Sequence, residues 1–217
     1  CLVNCPFGAI ADKSQIFQVI MAINAGDEVI AEVAPAFVGQ FGGKGNVDKL
    51  REAFKQLGFS GMEEVALGAD LCTIQESEDF LEEVPEKIPF MGTSCCPAWS
   101  VMAKKEFPKN ADCISMALTP MTLTARLIRK QHPNAKIVFV GPCSAKKLEA
   151  MRESVRSEVD FVLTFEEMAG MMSAKQIDYT KLAGEGGDFD VASADGRGFA
   201  VAGGVATAVA NAIHKRY

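Results

Sequence analysis

The chain has 217 residues, of which 48% are hydrophobic, 23% charged and 8% aromatic. This is enough apolar material for a sizeable core in one large domain or two small lobes. It excludes a disordered tail, a collagen-like repeat and a small disulfide scaffold. With 22 Lys and Arg against 28 Asp and Glu, the formal net charge is −6, which is typical of a poor nucleic-acid binder. The apolar stretch at 198–213 is too short to span a bilayer comfortably.

Taken in chain order, the hydrophobic pattern alternates between helices and strands. The predicted helices cover 14–24, 46–57, 76–84, 120–130 and 165–172, with a buried helix at 198–213. The predicted strands cover 29–33, 137–140 and 161–163. The glycine-rich stretch at 39–45 lacks the residue order of a phosphate loop, and 181–197 resembles a loop. This alternation predicts an α/β fold with a mainly parallel sheet flanked by helices.

The cysteine content bears on the compartment. Seven cysteines without a recognisable secretion signal favour a reducing environment, so we expect a cytoplasmic protein. In such a compartment clustered cysteines are metal ligands or reactive thiols more often than disulfides. The chain opens at Cys1 without an initiator Met, and we therefore expect it to be cut from a longer protein.

Two cysteines stand where a strand is expected to turn into a helix. Cys96 follows a short apolar run at 88–91 and precedes Pro97, whose place at the first helical position puts Cys96 near an N-cap. Cys143 follows the strand at 137–140 and opens another helix. Helix N-termini stabilise thiolates, and ligands gather at the carboxyl ends of parallel strands. The two thiolates are therefore expected to meet over one cofactor.

The neighbours of these cysteines leave alternatives open. Cys95 is either a free thiol that exchanges protons beside a metal-bound neighbour or half of a disulfide between adjacent cysteines. Lys146 either points its ammonium at an anionic ligand or forms a solvated surface pair with Glu149, and spacing alone favours the surface pair. Four further residues are expected to be structural, namely Cys72, Cys113, His132 and His214.

Two segments carry a resemblance to a known family. Residues 93–99, TSCCPAW, and residues 142–149, PCSAKKLE, resemble the first two signature motifs of the [FeFe]-hydrogenases, and their pairing in this order is highly specific. The run Cys1-x3-Cys5-Pro6 is similar to the tail of a bacterial ferredoxin cluster motif. The resemblance covers essentially the whole chain, with further similar segments at 34–36, 68–76, 162–164 and 199–205.

The resemblance implies a cofactor called the H-cluster, in which a [4Fe-4S] cubane is joined to a diiron unit through a cysteine sulfur. By position, Cys96 and Cys143 would be cubane ligands, and Cys1 and Cys5 would hold an accessory [4Fe-4S] cluster. Other residues would border the cofactor, namely Ala34, Pro35, Ala36, Thr93, Ser94 and Pro142.

The resemblance also implies roles in proton transfer and anion binding. Cys95 would be the proton-relay thiol, and Lys146 would donate a hydrogen bond to a cyanide ligand. Glu76 and Ser115 would lie on the proton path, with Asp79 as a second carboxylate. Glu149 matches a motif carboxylate and is expected, with Cys95, Lys146, Glu76 and Ser115, to be a catalytic residue.

The same resemblance implies a two-lobed H-cluster domain over 13–217, preceded at 1–12 by a remnant of a ferredoxin-like motif. The full-length protein would be an enzyme that interconverts protons, electrons and H2. Its partners would be ferredoxin or a similar electron carrier and the hydrogenase maturation factors. We expect it to bind neither nucleic acid nor a membrane.

The chain departs from the family pattern at several points. The third motif, which carries two more cysteines, does not appear, so we expect an incomplete domain that is inactive and holds no complete H-cluster by itself. Gly141, Met121 and Phe37 stand where Met, Gln and Arg are common. These changes resemble divergent branches, and the alternative function is a non-catalytic sensor or iron–sulfur assembly protein. A thiol enzyme built on Cys95 is a third hypothesis, although no His lies near it in sequence.

Overall fold

The structure is a computed structural model that describes residues 5–42, 46–153, 155–184 and 192–216. Its strands are β1 (Val29–Val33), β2 (Gly61–Glu64), β3 (Lys136–Gly141) and β4 (Phe161–Thr164). Its α-helices are α1 (Ile16–Ala25), α2 (Val47–Leu57), α3 (Val65–Glu83), α4 (Pro97–Glu106), α5 (Pro120–Gln131), α6 (Ala145–Ala150), α7 (Phe165–Ala174), α8 (Ala194–Arg197) and α9 (Gly204–Arg216).

The strands form one parallel sheet in the order β2-β1-β3-β4. Ile30 of β1 lies level with Gly61 of β2 and Ile137 of β3, and Val138 lies opposite Phe161 of β4. Parallel neighbours need crossover connections, which the helices between the strands supply. The predicted α/β fold with a parallel sheet flanked by helices is confirmed.

The sheet is buried on both faces, and this explains why the inner strand β3 is an apolar run after Lys136 and why β1 is apolar apart from Glu32. Every residue of β1 is buried, and in β3 only Lys136 is partly exposed. One face packs on α2 and α7 through side chains that include Phe54 and Met168. On the other face, Ile30 and Ile137 pack on Ala125 and Ile128 of α5.

Helix ends follow the local capping chemistry. Asn46 caps α2 through its side-chain oxygen, which accepts the Lys49 N–H at 3.0 Å, and Gly58 ends that helix with a φ of 101°. Thr119 caps α5 ahead of a proline. Thr164 and Glu167 form a reciprocal capping box at the start of α7. The predicted bounds of these helices are therefore close to the observed ones.

The strand expected at 88–91 was predicted wrongly. The backbone that follows it pairs with another loop and not with the sheet: the Gly92 N–H donates to the Cys113 carbonyl at 2.7 Å, and the Ser115 N–H donates to Gly92 at 2.8 Å. Only an isolated bridge between Gly92 and Ile114 results. Cys96 is thus preceded by a loop.

Three other elements differ from prediction. β2 was missed because its sequence, GMEE, combines a glycine with two acidic residues and lacks the expected pattern. α3 begins at Val65, well before the predicted start at Glu76. The last helix begins at Gly204 and buries only one side against the rest of the chain. Among the described residues, no helix has the length and hydropathy that a membrane crossing needs.

Candidate functional site

The loops that follow β1 and β3 lie side by side at the carboxyl end of the sheet. The Ala34 N–H donates to the Val140 carbonyl at 2.9 Å, which ties the end of β1 to the end of β3. A 3-10 turn over Pro35–Phe37, which includes Ala36, follows this contact, and β3 runs directly into Pro142. These predicted cofactor-binding residues therefore border one edge of the sheet, where ligands of parallel α/β proteins gather.

Cys96 is the N-cap residue of α4, and its side chain is exposed. Pro97 occupies the first helical turn, and the Cys96 carbonyl accepts the Ser100 N–H at 3.0 Å. The loop before it is held by Trp99, whose indole N–H donates to the Thr93 carbonyl at 3.0 Å. The thiol of Cys96 is therefore accessible at the start of a helix.

Cys143 has a related setting at the end of β3. Its side chain is exposed, and its sulfur accepts the Ala145 N–H at 3.3 Å just as α6 begins. Because α6 contacts α4, the exposed thiols of Cys143 and Cys96 precede two helices that pack together. The prediction that distant stretches bring these cysteines to one region is consistent with this packing.

Lys146 joins the two cysteine segments directly. Its ammonium donates to the Cys95 carbonyl at 2.9 Å and to Glu149 Oε2 at 2.7 Å. The other carboxylate oxygen of Glu149 accepts the Thr119 hydroxyl at 2.5 Å. The side chains of Lys146 and Glu149 are 13% and 3% exposed. The pair therefore exists, but it is buried at the contact between the motifs and is not the solvated surface pair that spacing alone favoured.

Cys95 and Glu76 are the titratable groups on the other side of this contact. Burial raises the pKa of the Cys95 thiol, and the Lys146 charge partly opposes that rise. Burial also raises the pKa of Glu76, whose side chain is fully buried. The Ser115 hydroxyl and the Ser94 N–H oppose the rise in the Glu76 pKa, although among the described residues neither Glu76 oxygen has a partner at hydrogen-bond geometry. Glu76 thus has unused acceptor capacity next to Ser115.

A cavity lies on the Ser115 side of this group, although Glu76 itself does not line it. The hydroxyls of Ser94 and Ser115 both contact Ala117, which holds the two loops together. Beside them lies a cavity of about 560 Å³ whose lining includes Ser115, Asp79 and Glu83. The residues predicted for the proton path are therefore distributed from a buried carboxyl to a cavity with acidic walls.

Cys5 lies in the N-terminal segment. Hydrogen bonds from the backbone N–H groups of Ala9 and Phe7 lower the pKa of its thiol. The segment is fastened further along by Lys147, which donates to Asp12 Oδ2 at 2.5 Å, to the Lys13 carbonyl at 3.0 Å and to Glu167 at 3.0 Å. The other predicted ligand, Cys1, lies outside the described residues.

Several residues that shape the site were missed by sequence reasoning. Thr119 was considered only as a helix start, yet its hydroxyl holds Glu149. Glu32 is a fully buried carboxyl on β1, and the charges of Lys146 and Glu149 act on its pKa. A lone acidic residue within the apolar run Val-Ile-Ala-Glu-Val was the available signal for Glu32.

The predicted structural residues behave as expected where the structure describes them. Cys72 and Cys113 are buried, and burial raises the pKa of the Cys72 thiol far above its usual range. His132 ends α5 and pairs with Glu28 at 2.8 Å. His214 is in the last turn of α9.

The donor set fits an iron–sulfur group in part. Exposed thiols at helix starts are suitable cluster ligands, and a cubane takes four. Within the described ranges, no three Cys, His, Asp or Glu side chains are grouped so that they could hold a metal. The predicted ligands Cys96 and Cys143 would therefore supply only part of the ligand set of a cubane.

Comparisons with known proteins identify the family of this chain. The family described as iron only hydrogenase large subunit, C-terminal domain, matches residues 27–217. Iron hydrogenase 1 of Clostridium pasteurianum is 31% identical over 92% of this chain, which spans 39% of that protein's length. The cytosolic Fe-S cluster assembly factor NAR1 of Debaryomyces hansenii is 32% identical over 58% of this chain and 26% of its own length.

The same fold occurs in the solved structure of the [FeFe]-hydrogenase HydA(deltaEFG), which revealed stepwise assembly of the H-cluster in that protein. It matches with a TM-score of 0.74 and 26% identity, over 94% of this chain and 57% of that chain. The family resemblance that the cysteine motifs suggested is thereby confirmed. The chain belongs to the iron-only hydrogenase large-subunit family, in which it is a hydrogenase-like H-cluster domain.

Proposed function

We propose that this chain is the part of an [FeFe]-hydrogenase that holds one side of the H-cluster and relays protons to it, in a longer protein that interconverts protons, electrons and H2. The observation that carries the proposal is the bond from the Lys146 ammonium to the Cys95 carbonyl. It joins the segments of Cys96 and Cys143, which are far apart in sequence, and the charge of Lys146 acts on the Cys95 thiol, which is the proposed relay.

The proton-handling residues of this chain are arranged for transfer between the site and solvent. Cys95, Glu76 and Ser115 are a thiol, a carboxyl and a hydroxyl whose pKa values or hydrogen bonds are mutually coupled. Such groups pass protons when they come within hydrogen-bond reach of one another or of a bridging water. The acidic cavity at Asp79 provides the solvent end of this path.

Cys96 and Cys143 are the residues that would hold the cubane, which supplies electron transfer and a metal centre for H2 chemistry when bound. Lys146 would donate a hydrogen bond from its ammonium to anionic ligands of that centre, while Glu149 keeps the ammonium in place. Cys1 and Cys5, within residues 1–12, would hold part of an accessory [4Fe-4S] cluster, which would supply electron transfer, and ferredoxin or a similar carrier would be the electron partner. The maturation factors that load the H-cluster are further partners, and the compartment is the cytoplasm.

A second candidate function is iron–sulfur cluster assembly without H2 chemistry. It is supported by the similarity to NAR1 and by the apolar residues Met121 and Phe37, which are buried where hydrogenases commonly carry polar groups. In that case the cysteines bind a cluster for structure or transfer, and the proton path has no catalytic use.

The two functions are separated by expressing the full-length gene with the hydrogenase maturation machinery and measuring H2 evolution from reduced methyl viologen. We expect activity that Cys95→Ala removes almost entirely while iron content is retained. Cys113→Ala is the matched control, because Cys113 is a buried thiol in the neighbouring loop, and it should leave activity close to that of the parent. Loaded protein without H2 evolution would favour assembly, and an active Cys95→Ala variant would overturn the relay assignment.

A further inference from the structure

Glu32 is an acidic residue at the centre of the molecule to which neither the proposed proton path nor the cluster ligands assign a role. It lies on β1, an inner strand of the sheet, and its side chain is completely buried. Neither carboxylate oxygen has a hydrogen-bond partner among the described residues. A buried, unpartnered carboxyl is costly when ionised, because nothing replaces the water that would solvate its charge.

The charged groups that act on Glu32 come from α6. They are Lys146, which favours the ionised form, and Glu149, which disfavours it. On the adjacent strands Glu32 lies level with Glu63 of β2 and Phe139 of β3. The Lys146 nitrogen is 5.9 Å from the centroid of the Phe139 ring. Glu32 thus lies near the ion pair that joins the two cysteine motifs.

The net charge of the group formed by Glu32, Lys146 and Glu149 depends on whether Glu32 is protonated. With Glu32 neutral, one ammonium faces one carboxylate, and the buried group has no net charge. With Glu32 ionised, one ammonium would face two carboxylates, and the group would carry a buried net negative charge. Burial raises the pKa of Glu32 well above its usual range, in agreement with the neutral form.

We propose that Glu32 is a positioning residue that is held as a neutral acid, so that Lys146 is matched by Glu149 alone and keeps its remaining donor capacity for an anionic ligand of the site. This proposal rests on the proposed role of Lys146 in binding such a ligand. Loss of the Glu32 proton would add a second carboxylate near the ammonium, which would compete with the ligand for Lys146 and repel it.

The protonation state of the Glu32 carboxyl can be measured in the 217-residue chain without any bound cluster. Glutamate labelled with 13C at the side-chain carboxyl gives one NMR signal per residue, and Glu32→Gln identifies the signal of Glu32 by its loss. We expect this signal to be that of a neutral acid at pH 7. Glu149→Gln should lower the titration midpoint of Glu32, and Lys146→Met should raise it. An ionised Glu32 at pH 7, or midpoints unmoved by both variants, would overturn the proposal.

If a variant at position 146 fails to fold, the pH dependence of stability tests the protonation of Glu32 independently. Above a pH of about 5 the unfolded chain releases the Glu32 proton, whereas the native chain retains it. The unfolding equilibrium constant of the parent, divided by that of Glu32→Gln, should therefore rise about tenfold per pH unit until the native carboxyl titrates.

The exposed carboxyl of Glu106 provides the matched control, and Glu106→Gln should show no such slope. A flat ratio for Glu32→Gln would contradict the proposal. Neither measurement needs H2 chemistry. A failed hydrogenase assay with a neutral Glu32 would therefore reject the proposed function alone, whereas an ionised Glu32 in an active enzyme would reject this inference alone.

Discussion

At the residue scale, Lys146 is the side chain that connects the separate segments of the site. It lies three residues after Cys143, and its ammonium reaches back to the carbonyl of Cys95. The same ammonium neutralises Glu149, which in turn is held by Thr119 of a different element. One side chain therefore connects the loop before α4, the start of α5 and the first turn of α6. A charge that served only solubility would not be placed in this way.

Replacing Lys146 by Met should destabilise the chain by about 3–5 kcal/mol, because the change leaves the buried carboxylate of Glu149 without its cation. The side chain of Glu149 is only 3% exposed, so water cannot replace the lost partner. The free energy of unfolding, obtained from urea titrations monitored by circular dichroism, measures the effect.

Lys181 offers a matched control for this substitution. It also pairs with an acid three residues away, Asp178, but its side chain is 82% exposed. Exposed pairs of this kind are worth little, so Lys181→Met should leave the unfolding transition where it is. Equal and small effects of the two substitutions would show that the Lys146–Glu149 pair is solvated in solution.

At the scale of elements, the close packing of α3 on α5 sets the distance between Glu76 and the rest of the site. Gly68 makes this approach possible, because a Cβ at that position would clash with the Pro120 carbonyl and the Thr124 hydroxyl. Gly68→Ala should therefore force the two helices apart and cost about 1–3 kcal/mol of stability, despite the better helix propensity of alanine. Urea unfolding of the purified variant measures this cost.

Gly170 of α7 is the matched control for that change. It is also a helical glycine, but a Cβ built on it meets nothing within 4 Å. Gly170→Ala should stabilise the chain by about 0.5–1 kcal/mol, because alanine loses less backbone entropy on folding. A similar increase in stability in Gly68→Ala and Gly170→Ala would mean that α3 and α5 do not approach each other as described.

The elements also show how far sequence reasoning reaches. β3 was predictable because burial on both faces requires continuous apolar residues, β1 because apolar residues alternate with Ala and Glu ahead of a loop, and α7 because Thr164 caps it. The loop before Cys96 was not, because its partners are the backbone groups of Cys113 and Ser115, which no local pattern reveals. Side-chain types at the site were readable from the motifs. The burial of Lys146 was not, because it depends on how α6 meets α4.

At the scale of the whole molecule, α6 makes two kinds of connection. Lys146 faces the cysteine loops, whereas its neighbour Lys147 binds Asp12 and Glu167. The short helix α6 thus contacts the loop of Cys95 through Lys146 and the N-terminal segment through the next residue, Lys147. Adjacent residues of one helix therefore hold the segment that follows Cys5 and the loop that precedes Cys96.

The same geometry predicts how much iron the 217-residue chain holds alone. After anaerobic reconstitution with iron and sulfide, we expect fewer than the four irons per chain of one cubane, because the described residues offer no grouping of three ligands around Cys96 and Cys143. Iron analysis with electron paramagnetic resonance measures the content. The double variant Cys96→Ser/Cys143→Ser should lose whatever iron this site holds, whereas Cys5→Ser should not affect it. Four irons per chain that disappear in the double variant would mean that this chain completes a cluster site by itself, and the ligand set inferred from its structure would be wrong.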